Sequence, residues 1–247
     1  MRFIVEQKTL MSALERALLK GKYLDSKNSQ LSNYAELRAG ESLKVMNADN
    51  ATIVCVNVEC EIQSAGESVV EIDKMLKYLK TMSGEITVEV DDVIKIVSGG
   101  KKATLPRVVI HPNLAVIESL NNDFEFDENL TETVTFGKKN RKYETVIQLN
   151  ASSLYNSLTA CELVGSGVYR LDYNEEFQIS SHAGNENYTE SIEPINAVGE
   201  PATVEITAPV HKLFKNEIVN IYFNDDVPMT IISENSFLIR APRVEGN

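Results

Sequence analysis

The chain has 247 residues, 43% of them hydrophobic, no tryptophan and a formal net charge of -12. That length holds one large domain or two ordinary ones, with enough apolar content for packed cores. So acidic a chain has no general attraction for nucleic acid, and contact with phosphates would need cations gathered in one place.

A first strand, Arg2 to Glu6, shows no signal-peptide character and leads into a helix from about Lys8 to Lys20. Leu10, Leu14, Ala17 and Leu18 form its apolar face, and Gly21 stops it. A polar loop, Ser26 to Ser32, precedes three alternating strands at Tyr34 to Arg38, Leu43 to Asn47 and Thr52 to Ile62. A strand from Ser68 to Ile72 then enters a short helix. Asp73 is expected to cap it, Met75, Leu76, Leu79 and Met82 give its apolar face, and Gly84 ends it. Lys74, Lys77 and Lys80 recur every third residue on its surface. Strands follow at Glu85 to Val90, Val93 to Val97 and Lys102 to Ile110, with Asp91-Asp92 as a hairpin turn.

The pattern breaks between residues 112 and 142, where an acidic run, Asp123 to Glu128, is followed by the basic Lys138 to Lys142. A segment this long without periodicity reads as a linker or functional loop. The expected organisation is an N-terminal domain at 1–111, a connecting segment at 112–142 and a C-terminal domain at 143–247. The second domain repeats the plan. Tyr143 to Leu149 is a strand, and Asn150 caps a helix containing Leu154, Leu158 and Cys161. Strands run Val168 to Tyr173, Phe177 to Ser181, Glu186 to Ile192 and Ala202 to Thr207. A short helix near Ala208 to Lys215 precedes the last strands, Ile218 to Phe223, Pro228 to Ile232 and Phe237 to Arg240. The fold class is α+β: strand, helix and three strands, written four times in two similar domains.

Catalytic and ligand motifs are missing. Gly99-Gly100-Lys101-Lys102 lacks a Walker pattern and lies between strands, so it is a hairpin. His111, His182 and His211 are scattered, without metal-ligand spacing, and no cofactor or metal site is expected. Cys55, Cys60 and Cys161 are too few for a disulfide framework and are expected as buried thiols of an intracellular protein. Ser152-Ser153 and the paired aspartates are explained by helix starts and turns, so the chain is read as no enzyme. No apolar run approaches a membrane span. The placement of cations is the remaining signal: Arg16, Lys20 and Lys22 on or beyond the first helix, Lys74, Lys77 and Lys80 on the second, Lys212 and Lys215 on the fourth. Clustered cations without base-reading groups suit phosphate contacts.

Four stretches give the chain a resemblance to DNA sliding clamps of the two-domain proliferating cell nuclear antigen type. Leu43 to Val54 resembles the family's strand-turn-strand, with Asn47 where aspartate is usual. Met75-Leu76-Lys77-Tyr78-Leu79-Lys80 is similar to its second helix. Asp226-Val227-Pro228-Met229 and Ile239-Arg240-Ala241-Pro242-Arg243-Val244-Glu245 resemble its closing strands and Ala-Pro tail. Met1-Arg2-Phe3 and Ser98 to Pro106 resemble bacterial clamp domains.

The resemblance implies a closed ring, most simply a homotrimer, with helices lining the hole and the edges Lys102 to Ile110 and Asn185 to Ile192 pairing across subunits. It implies non-sequence-specific binding to double-stranded DNA, a clamp loader, and a DNA polymerase and other motif-bearing proteins as partners. Docking would fall on Met46, Val116, Ile117, Leu120, Pro228, Ile239, Arg240, Ala241 and Pro242. One departure stands out: the third helix, Asn150 to Glu162, carries no lysine or arginine. The rival readings are a self-assembling β-rich structural protein without DNA contact, and a hydrolase whose site is not a recognisable motif.

Overall fold

The structure, a computed structural model, describes residues 1–19, 32–108, 111, 113, 126–130, 135–136, 141–143, 145–207, 213–214, 216–225 and 227–243. The chain divides into two compact units, Met1–Lys20 with Leu24–Glu118, and Gly21–Tyr23 with Ser119–Asn247.

In the first unit, β1 (Arg2–Glu6) runs into α1 (Gln7–Ala17), then β2 (Tyr34–Ala39), β3 (Leu43–Ala48), β4 (Thr52–Val58) and β5 (Glu61–Ser64). Next come β6 (Gly66–Glu71), α2 (Ile72–Leu79), β7 (Glu85–Val90), β8 (Val93–Ser98) and β9 (Lys101–Pro106). One sheet has the order β5-β1-β7-β8-β9, and a second runs β6-β2-β3-β4. All pairings are antiparallel, as strands joined by short turns require. A two-stranded ribbon, β10 (Thr135–Phe136) with β11 (Arg141–Lys142), follows.

The second unit repeats this wiring. Its elements are β12 (Thr145–Asn150), α3 (Ala151–Val164), β13 (Val168–Asn174), β14 (Glu176–Ala183), β15 (Glu186–Ile192) and β16 (Asn196–Val198), then β17 (Ala202–Thr207), β18 (Ile218–Phe223), β19 (Met229–Ser233) and β20 (Ser236–Arg240). The sheet orders β16-β12-β18-β19-β20 and β17-β13-β14-β15 match those of the first unit strand for strand. The repeated strand-helix-strand pattern expected from the sequence is therefore present. The expected helix over 208–215 falls largely outside the described residues, although Leu213 and Phe214 are buried.

Several local expectations are corrected. The stretch Thr52 to Ile62 is not one strand but two, β4 and β5, with a break at Glu59-Cys60. Cys60 is half-buried, whereas Cys55 and Cys161 are buried; all three are free. Gly84 does not end α2, which stops at Leu79, with Lys80 still right-handed. Asp73 and Asn150 do not cap their helices through their side chains.

The true caps come from elsewhere in the chain. The Ile72 amide donates to the Asn33 carbonyl (2.8 Å), and the Asp73 amide donates to Asn33 Oδ1 (3.2 Å). Reciprocally, the first amide of α1, Gln7 N–H, donates to the carbonyl of Gly84 (3.0 Å), just before β7. In the second unit the Ala151 amide donates to the Glu217 carbonyl (2.8 Å), just before β18. Each helix start is thus closed by the residue leading into the neighbouring repeat's first strand after its helix. That satisfies donors which would otherwise be orphaned.

Further side chains close the other ends. Gln7 Nε2 donates to the last carbonyl of α2, Leu79 O (2.9 Å). Asn47, fully buried on β3, donates from Nδ2 to Ala17 O and Ser32 O, both at 2.8 Å. This explains the asparagine. A carboxylate there would face two carbonyl oxygens and could donate to neither. Helices α1 and α2 pack on each other, α1 also on β1, β3 and β4, α2 on β6, and α3 on β12, β14 and β15. Phe3, Leu10, Leu14, Leu37, Leu43 and Ile72 fill the first core, and Leu154, Leu158, Tyr169, Phe177 and Phe223 the second.

Asn47→Asp should therefore destabilise the first unit by about 2 kcal/mol or more at neutral pH, because a buried charge loses both hydrogen bonds. The deficit should shrink in acid, where the protonated carboxyl can donate one of them. Thermal melts from pH 7.5 to 4.5, with native protein as control, measure both effects. Asn33→Ala should cost about 1 kcal/mol through the lost side-chain cap, and Asp73→Ala less.

Candidate nucleic-acid interface

The exposed face of α2 is built by the spacing that buries Ile72, Met75, Leu76 and Leu79. Asp73, Lys74, Lys77, Tyr78 and Lys80 are left on the outside. The three lysines are not equivalent. Lys74 Nζ is 2.9 Å from Glu71 Oε2, and that carboxylate, by hydrogen bond and charge, raises the lysine's pKa above its ordinary value. Lys77 and Lys80 have no carboxylate partner among the described residues, so their charge is available to a ligand. On α1, Arg16 is half-buried in the last turn, while Lys8, Ser12 and Glu15 are exposed. Lys20, Lys22, Lys212 and Lys215 lie outside the described residues.

The exposed residues of α3 are Ser152, Tyr155, Asn156, Thr159 and Leu163, with Leu163 84% accessible. The helix face is uncharged, as its sequence indicates.

Among the residues expected to dock partners, Met46 is buried on β3 in the first unit, and Ile239 and Arg240 are buried on β20 in the second. Arg240 Nη2 donates to Thr207 Oγ1 on β17. Pro228, Ala241 and Pro242 are half-buried. The pair Met229↔Arg240 sets Pro228 and Ala241 at the same end of the β19–β20 hairpin. The tail is fastened there: the Arg243 amide donates to Glu205 O (2.7 Å), and Arg243 Nη1 lies 3.5 Å from Glu205 Oε2. Val116, Ile117 and Leu120 lie outside the described residues.

Residues to which no role was assigned from the sequence fasten the connecting segment at its start and near its middle. At its start, His111 is buried, Asn113 N–H donates to His111 Nδ1 (3.0 Å), and Nε2 lies 3.2 Å from Tyr34 O. With Nδ1 accepting, the ring is neutral and Nε2–H donates. Asn113 Nδ2 also donates to Ala48 O (2.7 Å). Near its middle, Asn220 Nδ2 donates to Asp127 O (2.7 Å) and Gln148 Nε2 to Glu128 O (3.2 Å). Gln148 also donates to Asn220 Oδ1 (3.1 Å). Buried amides within alternating strands, at Gln148 and Asn220, were the available signal.

Each unit presents a long sheet-edge strand. β9 ends one sheet of the first unit, and β15 ends one sheet of the second. By contrast β5 and β16 are short, and Val108 bonds to Val69 on β6 as Arg243 bonds to Glu205 on β17.

No protein-family model matches the chain, and no curated protein sequence matches it either. Solved structures do. PCNA of A. fulgidus, determined with the C-terminal region of FEN-1, is similar over 100% of this chain and 99% of its own, at 15% identity and a TM-score of 0.71. A PCNA2-PCNA3 complex from Sulfolobus tokodaii is similar over 99% of this chain and 100% of its own, at 16% identity and a TM-score of 0.71. The sliding clamp of Pseudomonas aeruginosa gives a TM-score of 0.74 at 14% identity, over 99% of this chain but 67% of its own. The fold is that of the DNA sliding clamps. Within that class it has the two-domain PCNA form, whereas it spans about two thirds of the bacterial clamp.

Burial, partly offset by the Tyr34 carbonyl, holds the His111 pKa below its ordinary value. Between that lowered pKa and the ordinary value of about 6.5, the unfolded chain binds the extra proton, so stability is lost as pH is lowered through this window. The first unit should lose more thermal stability between pH 7 and pH 5.5 than the His111→Gln variant does, as followed by scanning calorimetry.

Proposed function

We propose that the chain is the subunit of a DNA sliding clamp, a ring of copies that encircles duplex DNA and tethers a polymerase and other replication or repair proteins. The observation that carries this reading is the full-length likeness to PCNA, from first strand to closing hairpin, with both repeats present. Three features support it. β9 and β15 are edges of the kind that protomers of a ring would pair, in a homotrimer if the two-domain form is followed. Lys77 and Lys80 supply exposed charge without a carboxylate partner among the described residues, suited to phosphate oxygens. Loose contacts of that sort bind without reading sequence, which sliding requires.

The ring contributes topology and no chemistry. A polymerase fastened to it meets its template at a raised effective concentration. Pro228, Ala241 and Pro242, half-buried at one end of the β19–β20 hairpin, are assigned to partner docking, as are Met46, Val116, Ile117, Leu120, Ile239 and Arg240. A clamp loader would open the ring onto DNA. Lys20, Lys22, Arg16, Lys74, Lys212 and Lys215 are assigned to the same DNA-facing surface, with Lys74 the weakest of them because Glu71 already neutralises it.

Loaded protein should stay on nicked circular DNA and run off the same DNA once it is linearised. Sedimentation should give the mass of an assembled ring. Lys77→Glu with Lys80→Glu should cut retention on circles by about tenfold or more and leave the melting temperature unchanged, since neither lysine is buried. A monomer indifferent to DNA topology would sink the reading.

A further inference from the structure

The Gly99-Gly100-Lys101-Lys102 turn has no Walker pattern, and none of the residues assigned to DNA or partner contact lies in it. It joins β8 to β9 and is closed by the pair Ser98↔Lys101. Gly99 (φ 55°) takes the left-handed conformation that a two-residue turn needs at its first position. Behind the turn, Ile94 and Ile96 of β8 pair with Leu105 and Ala103 of β9, and all four are buried. Alternation along the strands puts Ser98 and Lys101 on that same face of the sheet, and Lys95, Val97 and Lys102 on the opposite one.

Two side chains fasten the turn to the chain leaving α2. Ser98 Oγ donates to the Ser83 carbonyl (2.7 Å), and Lys101 Nζ donates to the Thr81 carbonyl. Lys101 is not needed to close the helix. Leu76 O accepts from Lys80 N–H (3.0 Å), Tyr78 O from Thr81 N–H (3.0 Å) and Thr81 Oγ1 (2.8 Å), and Leu79 O from Met82 N–H (2.9 Å) and Gln7 Nε2 (2.9 Å). What the bond does is set an ammonium group against the residue that follows Lys80. Lys77, Lys80 and Lys101 are all exposed, and none has a carboxylate partner among the described residues. Lys95, on the opposite face, is spent on Glu89 (3.4 Å) and Asp91 (3.9 Å). Around Lys101 the exposed residues are Thr81, Ser83, Gly99 and Gly100, which offer hydroxyl and main-chain groups. A Cβ added at Gly100 would meet nothing within 4 Å, so the main chain of the turn stands clear of side chains.

We propose that the β8–β9 turn is a second phosphate-contacting element beside α2, in which Lys101 binds the backbone of duplex DNA together with Lys77 and Lys80. This deepens the clamp reading and rests on it. An ammonium group has three N–H donors, and the Thr81 carbonyl takes one, which leaves two for phosphate oxygens. Lys101 is thus held in place by the fold, whereas Lys77 and Lys80 have no such tether among the described residues. The bare glycine turn lets a sugar-phosphate backbone come close to the main chain. None of these groups reads a base edge, so the contact is independent of sequence and compatible with sliding.

Binding of the native protein and its variants to a short duplex, followed by fluorescence anisotropy across a salt series, tests the assignment. Lys101→Gln keeps a donor for the Thr81 carbonyl and removes the charge. It should weaken binding by about threefold and lower the slope of log K against log salt by about 0.9, the change for one phosphate contact. Lys101→Arg should keep the native slope. Gly100→Glu, which adds a carboxylate where there is room for it, should weaken binding at least as much as Lys101→Gln. Lys95→Gln should match the native protein. If Lys101→Gln also matches it, Lys101 only pins the turn and the proposal is overturned. An equal loss in Lys95→Gln would make the effect one of net charge and overturn it as well. Retention of the native protein on nicked circular DNA separates the two readings: a native protein that is not held there removes the clamp reading, and this contact with it.

Discussion

The structure depends on how its helix ends are closed. An α-helix leaves amides without partners at its start and carbonyls without partners at its end, and a short helix such as α2 has few internal bonds to set against them. Here the first amides of α1 and α2 are bonded to main chain leading into the strand after the other's helix, at Gly84 and Asn33. Gln7 and Asn47 then cover carbonyls at the helix ends. The starts of both helices of the first unit and the end of α2 are therefore held by the other helix's repeat, and the end of α1 by Asn47 of its own. The Ala151–Glu217 bond shows the same device in the second unit. Neither repeat can keep its helix capped without the other, which is a physical reason for two repeats per unit.

That closure also fixes which side chains face out. With Met75, Leu76 and Leu79 buried, Lys77 and Lys80 are carried on the surface of α2 by geometry alone. In a chain of net charge -12 such a face stands out because no described carboxylate pairs with Lys77 or Lys80, although Asp73 is exposed on the same helix. Glu71 is spent on Lys74. The exposed face of α3 carries hydroxyl, amide and apolar groups, whereas that of α2 carries ammonium groups.

Much of the fold was legible because strands and turns announce themselves locally. Alternation marked β7, β8, β13 and β14 within a residue or two, and Asp91-Asp92 and Gly99-Gly100 marked their turns. The lysine face was legible from spacing alone. The caps were not, because Asp73 and Asn150 satisfy every local rule for an N-cap while the actual acceptors lie 39 or more residues away in sequence, at Asn33 and Glu217. Nor was the pairing of Lys74 with Glu71, which rests on the rotamers of two exposed side chains. The fasteners of the connecting segment, His111, Asn113, Gln148 and Asn220, were hidden for a similar reason: each is a polar residue whose partner is a distant main-chain group.

The sequence by itself determined the element order, the fourfold pattern, the acidic background and the placement of Lys77 and Lys80 on one helical face. These follow from periods of two and 3.6 residues, which are properties of a local backbone. Tertiary structure alone decided which strands stand at the sheet edges, which amides close which helices, and why position 47 is asparagine. Those depend on contacts between residues far apart in the chain, and no local period encodes them. The short amphipathic helix Ile72–Leu79 shows both sides at once: its face was written in its own residues, and its ends were closed by Asn33 and Gln7.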